Sequence, residues 1–196
     1  MKRLIAIGDS ITHGTCNKEP PFGLVEENFI KIIADALGYE EVFNYGVNGT
    51  TICSDTSWRP TLAMCRYIGE MFPGDLAIIA GGTNDYGANV EIGKISDEEE
   101  NTFYGALKIL YTKALQRYKD IIVITPIMRQ SEVANAKGYT LDDYRNAIKE
   151  VAKTFSLKVL DGSQIPFDLE RDIPDGLHPN SSGHRLYADW VLKNIK

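Results

Sequence analysis

Cysteine is scarce in this chain. Cys16, Cys53 and Cys65 are the only three in 196 residues, and no two of them form a CxxC pair. An odd, dispersed set is a poor basis for a disulfide framework, and reduced thiols are expected. Long apolar runs are also missing: nothing approaches the roughly 18 residues of a membrane span. The start, MKRLIAIGDS, enters an apolar strand within three residues and has no signal-peptide h-region. A cytoplasmic protein without a membrane span is therefore expected, with a trimmed leader left open.

Positive charge is in deficit as well. Lysine and arginine number 21 against 27 acidic residues, a net charge of -6, and the pI is near 5.1. A protein whose affinity came from neutralising phosphates would show the opposite balance, so nucleic acid is not an expected partner. Lys108, Lys113, Arg117 and Lys119 are scattered and read as the solvated face of one helix.

What is present is a regular alternation. Short β-branched runs at Leu4 to Ile7, Glu41 to Tyr45, Leu76 to Ala80, Ile121 to Thr125 and Leu157 to Leu160 are too apolar for strands facing water. Between them lie segments of helical period. The first follows Pro20 and Pro21, carries Val25, Phe29, Ile32, Ile33, Ala36 and Leu37, and stops at Gly38. A second stripe runs through Leu62, Cys65, Ile68 and Phe72, which makes Cys65 a core residue. Ser96 and Glu99 have capping-box spacing, with Asp97, Glu98 and Glu100 beside them. Phe103, Leu107, Leu110 and Ala114 follow as a buried edge. Thr140 with Asp143 opens a fourth helix, and a fifth begins after Asn180.

With no repeat or long linker, residues 1–196 read as a single domain, large enough to bury a core without staples. The expected architecture is α/β: a three-layer α/β/α sandwich around a flavodoxin-like five-stranded parallel sheet of order 2-1-3-4-5. Ligands of such sheets bind beyond the carboxyl ends of the strands. There the sequence places Gly8-Asp9-Ser10-Ile11-Thr12, Gly46-Val47-Asn48-Gly49-Thr50, Gly81-Gly82-Thr83-Asn84-Asp85 and Asp175-Gly176-Leu177-His178-Pro179.

Ser10 follows a buried strand and Gly8, where a hydroxyl can project into a crevice. Alone it reads better as a helix cap. Asp175 and His178 at i, i+3 change the balance, because one short loop then supplies a base and the carboxylate that orients it. The carboxylate fixes one ring nitrogen as a donor and leaves the other to accept the serine proton. Activity should then rise with pH through about 6 to 7. His13 and His184 have no carboxylate at such spacing.

The four segments, in this order and across the chain, resemble the conserved blocks of the SGNH (GDSL-like) hydrolases. That resemblance implies a serine esterase with Ser10 as nucleophile, His178 as base and Asp175 as its partner. It also nominates the backbone N–H groups of Ser10 and Gly49 and the Asn84 side-chain amide as oxyanion donors. Gly46 is assigned to the turn. Asp9 and Asp85 read as loop-organising carboxylates. A metal held by them with Asp175 is disfavoured, since no HExxH, His/Cys cluster or EF-hand loop is present, and no cofactor is expected.

Two readings of other classes stay open: a flavodoxin-like module cradling phosphate or flavin with Ser10, Thr12, Gly14 and Thr15, and a catalytically silent carbohydrate-binding relative. Within enzymes, lysophospholipase, thioesterase and acyltransferase chemistry use the same triad. Cys16, Asn17 and Lys18, then Ser57, Trp58 and Arg59, then Tyr86, and the Met128 to Gly138 segment with Arg129 are candidate crevice residues, of which Trp58, Arg59, Tyr86 and Arg129 are expected to contact substrate. They mix aromatic, basic and polar groups, without a long apolar lid. The expected substrate is a small-molecule ester with a short, acetyl-like acyl group on a polar or carbohydrate alcohol. Whether copies associate into homo-oligomers is not legible.

Overall fold

Along β1 (Arg3–Gly8), Leu4 and Ala6 face one way, Ile5 and Ile7 the other, and all four are fully buried. Such a strand needs cover on both faces. The computed structural model describes residues 1–17, 23–56 and 62–195, and in it that cover is present. A small antiparallel ribbon joins β2 (Thr15–Cys16) to β3 (Gly23–Leu24). The main sheet is formed by β1, β4 (Glu41–Gly46), β5 (Gly74–Ala80), β6 (Tyr118–Ile124) and β7 (Lys158–Leu160), in the order β4-β1-β5-β6-β7. Every pairing in it is parallel. Counted along the chain, these five strands stand 2-1-3-4-5, with the winding reversed between β1 and β5.

Leu4, Ala6, Leu76, Ile78 and Ile122 pack beneath α2 (Phe29–Leu37) and α8 (Ser181–Asn194), where Phe29 stacks on Tyr187 at 4.0 Å. On the opposite face Ile5, Ile7, Ala77, Ile79 and Val123 meet α3 (Met64–Tyr67), α5 (Phe103–Leu115) and α6 (Leu141–Thr154). The result is a three-layer α/β/α sandwich. Single turns α1 (Ser10–His13), α4 (Thr83–Gly87) and α7 (Leu169–Asp172) lie in the strand-end loops. The Thr140–Asp143 capping box opens α6, and Asn180 caps α8 through a bond to the Gly183 N–H.

Several local expectations give way to tertiary contacts. Helix α2 starts at Phe29 with Asn28 as its cap, so Val25 lies outside it, and Ala36 and Leu37 face solvent. Ser96 and Glu99 do not open α5, which begins at Phe103 after Thr102. Asp97 instead accepts the Lys94 N–H in a turn, and the backbone of Glu99 lies against Gly105, where a Cβ would come within 2.0 Å of the Glu99 carbonyl oxygen. The acidic run is thus spent on a loop crossing the helix, with Glu100 paired to Arg66. Cys65 and Ile68 are buried, but Leu62 and Phe72 at the ends of their stripe are exposed, because α3 lasts only four residues. The scattered basic residues are not one solvated face: Lys113 and Arg117 donate to the carbonyls of Cys65 and Met71, Lys108 pairs with Glu98, and Lys119 lies in β6 against Asp75.

Among the described residues, no helix is long and apolar enough to cross a membrane.

Candidate active site

Gly8 at the end of β1 is in register with Gly46 of β4 and Ala80 of β5. The loops leaving these three strand ends therefore start level and side by side. Ser10 opens α1 directly after Asp9, whose carboxylate caps the turn by accepting the Ile11 N–H at 2.9 Å. As the first residue of the turn, Ser10 has a backbone N–H with no intrahelical carbonyl to bond. Helix α1 lies so close to β4 that a Cβ on Gly46 would come within 2.3 Å of the His13 nitrogen, so Gly46 serves close approach, rather than the turn assigned to it. Gly49, by contrast, sits at φ +73°, the left-handed region that favours glycine.

The loop after α7 brings the other half of the site. His178 Nε2 lies 2.9 Å from Ser10 Oγ, across 168 positions of sequence. His178 Nδ1 lies 2.7 Å from Asp175 Oδ2. Donation from Nδ1–H to the carboxylate leaves the Nε2 lone pair for the serine hydroxyl. The other carboxylate oxygen, Oδ1, accepts the backbone N–H groups of Leu177 at 2.9 Å and His178 at 2.7 Å. Burial pushes the Asp175 carboxyl up, but the bonds from the His178 backbone, its ring and the Leu177 backbone outweigh it and hold the group at about 2. Asp175 is thus ionised, and it faces the imidazole with its charge intact.

Asn84 in α4 donates its side-chain amide to the Thr50 carbonyl at 2.8 Å, which fixes it against the loop that carries Gly49. A primary amide has two N–H groups, so one remains for a further acceptor. Beneath it, Asp85 is fully buried and accepts the N–H groups of Ile52 and Cys53, both at 2.9 Å. Burial overrides those bonds and pushes its carboxyl up to about 7. Burial raises Asp9 likewise, to about 6. The two carboxylates organise loops.

His184 lies on α8, fully buried and stacked on Phe29, and its Nδ1 accepts the Phe29 N–H at 3.3 Å. His13 contacts the Thr15 hydroxyl. In the loop read as a phosphate cradle, Thr15 donates to Asn48 at 2.8 Å and the Gly14 N–H closes the α1 turn, while Thr12 is buried away from the crevice surface. Tyr86 is buried, its hydroxyl donating to the Val133 carbonyl at 2.6 Å, and the Arg129 guanidinium covers its ring at 5.3 Å. Trp58 and Arg59 lie outside the described residues, and so do Lys18 and Ser57.

The profile of the GDSL-like Lipase/Acylhydrolase family matches residues 6–186. The chain belongs to that family. GDSL-like members are ester-hydrolysing enzymes, and the matched span includes Ser10, Gly49, Asn84, Asp175 and His178. A multidomain esterase of Ruminococcus flavefaciens is 24% identical over 225 residues, spanning 99% of this chain and 28% of that protein. The chain therefore spans little more than a quarter of that relative. Among solved structures, a Lactobacillus plantarum protein superposes with a TM-score of 0.82 at 28% identity, covering 99% of this chain and 96% of its own. An acetyl xylan esterase from Geobacillus stearothermophilus shares the fold, with a TM-score of 0.66 at 23% identity and coverage of 99% and 94%.

Asn17 is one of several crevice residues expected from the sequence, with no role attached to it there. In the structure its side-chain amide reaches Asp175 Oδ2 at 3.1 Å. Thr15 pairs with Asn48, which ties the nucleophile's loop to the Gly49 loop. Neither contact has a spacing signal, since its partners are far apart in sequence.

Proposed function

We propose that this GDSL-like chain is a serine esterase that forms an acyl-enzyme on Ser10. The observation that carries the reading is the continuous chain from Ser10 Oγ through His178 to Asp175, with links of 2.9 and 2.7 Å. Ser10 Oγ attacks the ester carbonyl as His178 Nε2 takes its proton. The imidazolium returns that proton to the departing alcohol, and a water molecule then repeats the sequence to free the acid and regenerate the serine. Asp175, ionised, stabilises the imidazolium in each half-reaction.

Negative charge builds on the carbonyl oxygen during both attacks. The Ser10 and Gly49 N–H groups and the second amide hydrogen of Asn84 are its donors in this reading. Fixed donors of this kind usually give the largest single catalytic contribution. Their loops are held by contacts away from the reaction, namely Asn84 on Thr50 and Asp85 on Ile52 and Cys53.

The substrate in this proposal carries a short, acetyl-like acyl group on a polar or carbohydrate alcohol. The described crevice residues are polar or already packed, and a solved protein of the same fold is an acetyl xylan esterase. The test is intact-mass analysis after a fluorophosphonate probe, on wild type, Ser10→Ala and His178→Ala, followed by p-nitrophenyl esters from acetate to palmitate. One adduct on Ser10, absent from both variants, with rates falling as the acyl chain lengthens, is expected. Folded wild type without an adduct would refute the esterase reading, and a preference for palmitate would refute the short acyl group.

A further inference from the structure

The segment that follows the nucleophile's turn reaches across the crevice. Asn17, seven positions after Ser10, is exposed, and its side-chain nitrogen lies 3.1 Å from Asp175 Oδ2 and 3.2 Å from His178 Nδ1. It joins residues 158 and 161 positions away. The load on the Asp175 carboxylate is divided: Oδ1 takes two backbone N–H groups of its own loop, whereas Oδ2 takes the imidazole N–H and the Asn17 amide. With Nδ1–H directed at Oδ2, the amide has no lone pair to meet on Nδ1. Its closeness to that atom follows from two donors converging on one oxygen.

We propose that Asn17 is a positioning residue for the Asp175–His178 pair, clasping the Ser10 loop to the base loop and restraining the carboxylate oxygen that supports the imidazole. The proposal rests on the esterase reading. Without Asn17, Oδ2 is held, among the described residues, by the imidazole ring alone, and the base loop loses the side-chain link that Asn17 makes to it. Besides Asp175 on its own loop, Asp9 at the head of α1 and His184 on α8 are the described titratable groups that feel the charge of His178, and burial keeps His184 neutral. Both are retained in every variant, so differences between variants isolate position 17.

Asn17→Leu removes the donor at similar volume. It is expected to lower kcat about tenfold, the worth of one hydrogen bond to a charged group, with KM within about twofold. Asn17→Asp places a carboxylate beside Asp175, favours the imidazolium, and is expected to move the acidic limb of the kcat/KM profile up by about one pH unit. An NMR titration of the His178 ring protons, in wild type and Asn17→Asp, should show the same upward displacement whether or not any ester is turned over. Coincident His178 titrations in the two proteins would overturn the proposal, as would an Asn17→Leu enzyme with wild-type kcat. Failure of wild type to label at Ser10 would count against the esterase reading alone, and the NMR comparison would still decide the clasp.

Discussion

Two carboxylates at the same end of the sheet receive similar backbone support and are shifted in opposite directions. Asp175 and Asp85 each accept N–H groups from two residues, at 2.7 to 3.1 Å. Asp175 lies at the rim of the crevice with an imidazole and a side-chain amide on its second oxygen, and is held at about 2. Asp85 is sealed in the core without a cationic neighbour among the described residues, and is pushed up to about 7. At Asp85 the backbone hydrogen bonds do not offset the loss of water. The difference separates a group able to support a proton transfer from one suited to holding a loop in place.

The comparison can be broken most forcefully at Asp175. Replacing it with Asn leaves the loop's shape nearly intact but favours the wrong imidazole tautomer, and kcat should fall by about 10³- to 10⁴-fold with little change in urea stability. Asn84→Ala, which removes one donor from the region Asp85 organises, should cost about 10²- to 10³-fold in kcat. A wild-type rate would exclude Asn84 as an oxyanion donor. Asp85→Ala strands the buried N–H groups of Ile52 and Cys53 and should lower unfolding free energy by about 3 kcal/mol, whereas Asp85→Asn keeps an acceptor and should cost less than about 1 kcal/mol. Equal losses in the two variants would show that the acceptor is not what Asp85 supplies.

The smallest expected effect is a slope. Folding raises the Asp85 pKa from 3.8 to about 7, so the folded state binds the extra proton and stability declines as pH climbs through that window. Asp175 acts in the reverse sense: its contribution is complete above its ordinary 3.8 and is lost as pH falls toward about 2. Urea midpoints between pH 4 and 7 should therefore flatten in Asp85→Asn relative to wild type. Asp9, raised to about 6, leaves a residual slope. An unchanged slope in the variant would show that Asp85 does not titrate in this range.

Much of the fold was legible because buried parallel strands announce themselves: Ile5 with Ile7, and Ile78 with Ile79, have no polar face to offer. The Thr140–Asp143 box and Gly38 stop were equally local and stand in the structure. Ser96 and Glu99 misled because a capping box describes only what its own residues can do, and here Gly105 admits a crossing loop in place of a helix start. The Leu62 and Phe72 ends of their stripe failed for a related reason: periodicity does not report where packing stops.

By itself the sequence determined the alternation that makes an α/β sheet and the segments that end its strands. It also set the i, i+3 spacing of Asp175 and His178, since each of these depends on residues close along the chain. Tertiary structure alone decided that His178 meets Ser10, that Asn17 reaches Asp175, and that Asp85 is driven toward neutrality while Asp175 keeps its charge. Those outcomes depend on distance and on the exclusion of water, and both are fixed only when strands far apart in sequence lie side by side.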